Sequence, residues 1–242
     1  MTADRSPGLA LAVFHELLDH QGDPPPRPLQ DPLSELIQTV LSQNTADVNS
    51  DRAYTSLMAR FGGDWEAVAG APVIQVADAI RIGGLADIKA ARIQSILHEI
   101  KDRLGELDLS FLHDASLDDG RTFLRSLGGV GPKTAACVLL FACGKPALPV
   151  DTHVHRVSLR LGLVPPKATA ERAHELLEAL IPADLVYAFH MLLIRHGREI
   201  CKASRPRCEQ CSAAALCLFP DKTSSAAPGA RSRHRTTAEA RT

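Results

Sequence analysis

Four cysteines within seventeen residues, Cys201-x6-Cys208-x2-Cys211-x5-Cys217, constrain this 242-residue chain more than any other feature. The segment between them is short, polar and charged, so it cannot build an apolar core of its own. Four soft thiolates on one compact loop close a metal site, which then organises the loop. Both zinc and a [4Fe–4S] cluster satisfy this spacing. Zinc ribbons pair two short knuckles and only Cys208 and Cys211 form one here, which favours iron–sulfur. The chain's other two cysteines, Cys137 and Cys143, lie in an apolar run and read as packing residues.

Upstream of that loop the pattern is helix after helix. Hydrophobic residues make up 45% of the chain but aromatics only 4%, with Ala, Leu, Val and Ile supplying the apolar side, so the reading is all-α. Residues 9–20 predict a short helix, followed by a linker through Pro24, Pro25, Pro26 and Pro28. Asp31-Pro32 then opens an apolar periodic stretch, with Asp31 as N-cap and Pro32 at the first helical position. Glycine pairs break the pattern at 62–63, 83–84 and 128–129. A further helix starts at Asp151-Thr152, and others are expected around 168–181 and 184–197. Residues 221–242 hold almost no large apolar side chains and read as a disordered basic tail.

No apolar run approaches the length of a membrane span, and the N-terminal stretch LALAVF is soon followed by His15, Glu16 and Asp19. The expectation is a cytoplasmic protein with reduced thiols. The formal net charge is only −1, so the chain is not basic throughout. Between Arg195 and Cys211, however, Arg195, Arg198, Lys202, Arg205 and Arg207 face two glutamates, which makes a local phosphate-facing patch available.

Two segments carry chemistry. In LGGVGPKTAACVLLF, from Leu127 to Phe141, glycines occupy the turn between two helices, where backbone N–H groups and a helix N-terminus suit a DNA phosphate. Lys133 falls in the first turn of the second helix. The dipole there disfavours a cation and so favours the neutral amine that attack on C1′ of a nucleotide sugar requires. In PVDTHV, from Pro149 to Val154, Asp151 lies where the chain enters a helix. A carboxylate there can cap the helix and can stabilise oxocarbenium-like charge at C1′. Ile82-Gly83-Gly84-Leu85 leading to Lys89-Ala90 also echoes Leu127-Gly128-Gly129-Val130 leading to Lys133-Thr134-Ala135, a weak sign of a repeated helix–hairpin–helix geometry.

Together LGGVGPKTA, PVDTHVHRV and the four-cysteine loop resemble the endonuclease III family of the helix–hairpin–helix DNA glycosylases, over roughly residues 9–220. The resemblance implies two all-helical lobes. One, residues 25–145, is a six-helix barrel with the helix–hairpin–helix; the other, residues 1–24 plus 146–220, carries a [4Fe–4S] cluster on the four cysteines. It implies a bifunctional glycosylase and abasic-site lyase of base excision repair that removes oxidised pyrimidines, with Lys133 as nucleophile and Asp151 as its electrostatic partner. The damaged nucleotide is flipped out of double-stranded DNA. It further implies a DNA-facing set of Gln43, Asn44, Leu85, Gly129, Gly131, His153, Arg198, Lys202 and Arg205, and a monomer associated with the nucleoid. Three positions depart from the family pattern: Asn44 stands where Gln is common, Ala86 replaces a larger residue, and Gly128 stands where the hairpin usually has Pro.

Two rivals share most of these features. A monofunctional mismatch glycosylase would have the fold and cluster, but such relatives generally lack a lysine at the position of Lys133. A non-enzymatic DNA-binding protein would need the hairpin and the cluster but not Asp151 beside Lys133.

Overall fold

Helix-start signals in the sequence fall where helices begin. In the computed structural model, which describes residues 7–27 and 30–220, the Asp31 carboxylate accepts a hydrogen bond from the Ser34 N–H at 2.9 Å and Pro32 opens the helix. The Asp64, Ser116, Asp151 and Thr169 side chains cap four further helices in the same way, each satisfying one of the backbone N–H groups that a helix start leaves unpaired. The described residues contain eleven α-helices, several short 3-10 turns and no strand. The segment 221–242, expected to be a disordered tail, lies outside the described residues.

Helix α1 (Pro7–Gln21) leads through the proline linker to α2 (Pro32–Ser42), α3 (Asp47–Phe61), the short α4 (Trp65–Gly70) and α5 (Val73–Ala79), and the long α6 (Ala86–Leu104). Then come α7 (Leu117–Ser126) and α8 (Pro132–Cys137), which runs on into a π-helical turn, Val138–Ala142. Helices α9 (Thr152–Leu161), α10 (Ala170–Glu178) and α11 (Val186–Glu199) precede the cysteine loop. No helix among the described residues is long and apolar enough to cross a membrane.

Buried side chains form two separate cores. Leu36, Ile37, Val40, Leu57, Ile93, Leu97 and Leu124 belong to the first, which α2 to α8 enclose. The second joins Val13 and Leu17 of α1 to Val154, Val157, Leu177, Phe189 and Leu193. The chain crosses between them inside the π turn: Val138 and Leu139 face the first core and Leu140 faces the second. A π turn inserts an extra residue per turn and so rotates successive side chains onto a different face. Polar ties hold the lobes together. Arg121 of α7 pairs with Glu178 of α10 at 2.8 Å, and the same carboxylate accepts from the Leu148 N–H at 2.8 Å. Arg198 of α11 pairs with Asp47 of α3 at 2.7 Å.

Candidate active site

Gly131 caps α8 with its backbone and Pro132 supplies the first helical residue, which places Lys133 second, in the first turn as the sequence predicts. The side chain is half-buried. One turn on, its amine hydrogen-bonds the Cys137 thiol, whose pKa burial pushes up to about 11. Asp151, the N-cap of α9, accepts from the Val154 N–H at 2.7 Å. Its charge acts on the same Cys137 thiol and on the His190 ring, and so does that of Lys133. Lys133 and Asp151 are therefore brought to one place by two elements of different lobes. Burial keeps His190 neutral by drawing its pKa down, with the Phe141 ring edge-on at 5.6 Å.

A third ionisable group faces this place. Glu35, in the first turn of α2, is held by the Thr39 hydroxyl at 3.0 Å and the Gln30 amide at 3.4 Å, and burial pushes its carboxyl up to about 7. The positive charge of Lys133 acts on it in the opposite sense. The sequence disguised Glu35, because an acidic residue in a first turn is ordinary complementation of the helix dipole. Only the packing of α2 against α8 turns it toward Lys133.

The DNA-facing set divides. Asn44 is exposed, has φ +54° and makes no side-chain hydrogen bond among the described residues. Gln43 is instead pinned: Arg92 Nη1 donates to its Oε1 at 2.9 Å and its Nε2 donates to Thr134 Oγ1 at 3.2 Å. Leu85, with φ +52°, is exposed at the start of α6. Gly129 (φ +82°) and Gly131 are exposed on the hairpin. The Gly128 N–H donates to the Glu99 carboxylate at 3.2 Å, a bond that a proline there could not make. His153 packs against Gly197, which ties it to α11, and its Nδ1 accepts from Arg156 Nη2 at 3.2 Å. In the basic segment Arg205 is exposed at φ +53° and Lys202 is half-buried. Arg198 is paired with Asp47, and Arg195 donates to the Gln21 carbonyl of α1 at 2.9 Å. The segment is less free for phosphate than its charge alone suggests.

Cys201, Cys208, Cys211 and Cys217 line one small cavity, of about 20 Å³, with Arg160, His196 and Phe219. Their sulfurs attract donors. Arg160 Nη1 approaches Cys201 Sγ at 3.3 Å, His196 Nε2 lies 3.6 Å from Cys211 Sγ, and the Phe219 N–H points at Cys217 Sγ at 3.4 Å. Among the described residues the four do not converge on a point that would hold a single ion. A lone zinc would draw four sulfurs to about 4 Å of one another. Four cysteines around one cavity, with donors aimed at three of the sulfurs, have the donor set of a thiolate-ligated metal centre.

The pattern of the HhH-GPD superfamily of base excision DNA repair proteins matches residues 37–183, a span that contains both Lys133 and Asp151. Endonuclease III of Thermotoga maritima is 38% identical over 189 residues, 78% of this chain and 84% of that protein. The chain belongs to the endonuclease III family of DNA glycosylases. A putative DNA glycosylase of Arabidopsis thaliana is 40% identical over 166 residues, 69% of this chain, and the match spans only 56% of that longer plant protein. The fold of this endonuclease III relative also superposes on a trapped endonuclease III–DNA covalent intermediate, with TM-score 0.75, 28% identity and coverage of 88% of this chain and 96% of that one. A thermostable thymine-DNA glycosylase shares the fold at TM-score 0.74 and 23% identity, over 91% of this chain and 99% of its own.

Proposed function

We propose that this chain is a bifunctional glycosylase and abasic-site lyase acting on oxidised pyrimidines in double-stranded DNA, with Lys133 as the nucleophile. The observation that carries the reading is the meeting of Lys133 and Asp151, from separate lobes, around Cys137 and His190. The neutral Lys133 amine attacks C1′ of the flipped nucleotide. The C1′–N bond to the base breaks as the new N–C1′ bond forms, and the base leaves with the electron pair and takes up a proton. Asp151 stabilises positive charge at C1′ while its other oxygen holds the start of α9. Ring opening gives a Schiff base. Loss of a C2′ proton then expels the 3′ phosphate by β-elimination.

Glu35 suits one proton in this sequence. Its carboxyl, with a pKa raised to about 7, is ionised above neutrality and can then accept the proton that Lys133 must lose before attack. For the opening of the duplex, Asn44 rather than Gln43 is the residue free to enter the gap left by the flipped base, with Leu85 as the second wedge. The same reading gives Cys201, Cys208, Cys211 and Cys217 to a [4Fe–4S] cluster, which would hold together the loop that carries Arg205.

Borohydride reduction during reaction with abasic-site duplex should trap a covalent protein–DNA adduct, and Lys133→Gln should abolish it. An adduct that persists in the variant would remove Lys133 from the role of nucleophile. The purified protein should be yellow-brown; a colourless protein carrying zinc would overturn the cluster assignment.

A further inference from the structure

Lys89 is the feature that this reading leaves unexplained. It lies on α6, one turn in, and is only 2% exposed, although it carries a long cationic side chain. Burying an ammonium group is unfavourable unless all its donors are matched. Burial accordingly draws its pKa below the ordinary lysine value. All three donors are matched, by the Leu41 carbonyl at 2.6 Å, the Thr45 hydroxyl at 2.5 Å and the Gly83 carbonyl at 3.0 Å. The Thr45 hydroxyl in turn donates to the Gly83 carbonyl at 2.6 Å, which closes a knot of four polar groups.

These acceptors belong to two loops that are far apart in sequence. Leu41 and Thr45 bracket the segment that carries Gln43 and Asn44, and Gly83 immediately precedes Gly84 and Leu85. Each loop presents one exposed non-glycine residue in the left-handed region, Asn44 at φ +54° and Leu85 at φ +52°. Such backbone is held at an energetic cost of about 1 kcal/mol or more per residue, and persists only where its surroundings fix it. The knot supplies that fixing from beneath both loops at once. No carboxylate takes part, so Lys89 is not one half of a structural ion pair. Its bonds go to backbone and hydroxyl oxygens, and their effect is to set the spacing of Asn44 and Leu85.

We infer that Lys89 is a positioning residue for duplex opening, whose buried ammonium holds the Asn44 and Leu85 loops at a fixed separation so that both enter the base stack together. The inference rests on the assignment of Asn44 and Leu85 as wedge residues in the proposed function. It places none of the bond-breaking chemistry on Lys89, which is remote in role from Lys133. Substrates that need no opening should therefore be indifferent to it.

The test compares Lys89→Met with the unaltered protein on two DNAs: a fully paired duplex containing one abasic site, and a single-stranded oligonucleotide with the same site. Borohydride trapping is measured on both. Because unstacking and unpairing take a few kcal/mol, the variant should lose about tenfold or more in trapping rate on the duplex. On the single strand it should stay within about twofold, since chemistry at C1′ is unchanged. 2-Aminopurine placed beside the site should report a smaller fluorescence rise on binding. Thr45→Val, which removes the hydroxyl at the centre of the knot but keeps the ammonium, should show the same split in weaker form and serves if Lys89→Met does not fold. Equal losses on both DNAs would reduce Lys89 to a folding residue, and an unimpaired duplex rate would remove it from opening altogether. Failure of the unaltered protein to form an adduct on either DNA would instead overturn the proposed function, while the 2-aminopurine signal would still decide the role of Lys89.

Discussion

Two glycine hairpins in this chain use nearly the same sequence grammar to opposite ends. At Gly83-Gly84 the chain turns with Gly84 at φ +66°, and the following lysine, Lys89, is the fourth residue of α6 and is buried. At Gly128-Gly129 it turns with Gly129 at φ +82°, and Lys133 is the second residue of α8 and remains half-exposed beside Asp151 and Glu35. Two positions along a helix are 200° of rotation. That offset alone sends one amine back under the turn, where carbonyls surround it, and leaves the other where a substrate carbon can reach it. On the proposed assignments, a lysine after a glycine hairpin is thus a brace or a nucleophile according to its register.

The largest effect should come from exchanging the roles' chemistry. Lys133→Gln should lower abasic-site cleavage by about three orders of magnitude or more, since the covalent route is lost. Its thermal stability should change little, because the side chain is half-exposed and its one buried partner, the Cys137 thiol, is a weak hydrogen-bonding group. Lys89→Gln should do the reverse. It leaves buried carbonyls short of donors, a loss of about 2 kcal/mol, and should lower Tm by several degrees while single-strand trapping survives. Activity assays beside calorimetry check both, and a Lys133 variant that melts early would break the contrast.

Much of this arrangement was legible beforehand. Asp31, Asp151 and the glycine breaks marked helix boundaries because capping and left-handed turns are local chemistry. Lys133 and the four cysteines stood out because their spacing has few other uses. Lys89, Glu35 and Arg92 did not, since each acts in part through partners 44 or more residues away, or through the packing of one helix on another. The two glycine breaks that echo each other share a glycine at positive φ but not the register of the lysine that follows. Gln43 and Asn44 were likewise inseparable until the hydrogen bonds of Gln43 to Arg92 and Thr134 showed which one is already engaged.

Glu35 extends the contrast to pH. Its folded pKa, near 7, lies above the ordinary value of 4.5, so the folded state holds that proton more tightly than the unfolded state does. Stability is therefore full below about pH 4.5 with respect to this group and falls as pH rises to about 7, by about 3 kcal/mol at most. Glu35→Gln should remove that slope, leaving the variant relatively more stable at pH 8 than at pH 5 in urea titrations. Its rate of adduct formation should also lose the rise between pH 6 and 8 that ionisation of Glu35 gives the unaltered protein. The nearby groups that share its field, Lys133 with its opposing charge and the Tyr54 hydroxyl, are unchanged in the variant. A pH profile identical to that of the unaltered protein would take the proton transfer away from Glu35.

The smallest effects separate the two hairpins themselves. An alanine at either Gly84 or Gly129 must adopt positive φ, at a backbone cost of about 1–3 kcal/mol, towards the upper end at Gly84, whose ψ of 158° lies in a region that is essentially glycine-only. At Gly84 the space around the new Cβ is open, so nothing further is expected. At Gly129 the Cβ would come within 2.7 Å of Arg92 Nε and 2.8 Å of its Cδ. Arg92 must move, and in moving it releases Gln43 Oε1. Gly129→Ala should therefore lose about 1 kcal/mol beyond its backbone cost, and should also loosen the Gln43 bond to Thr134 at the start of the helix that carries Lys133. Double-mutant cycles with Arg92→Ala distinguish the causes: the penalty at Gly129 should shrink by about 1 kcal/mol once Arg92 is gone while that at Gly84 stays unchanged, and a Gly129 penalty that stays the same would place its origin in the backbone of the hairpin alone.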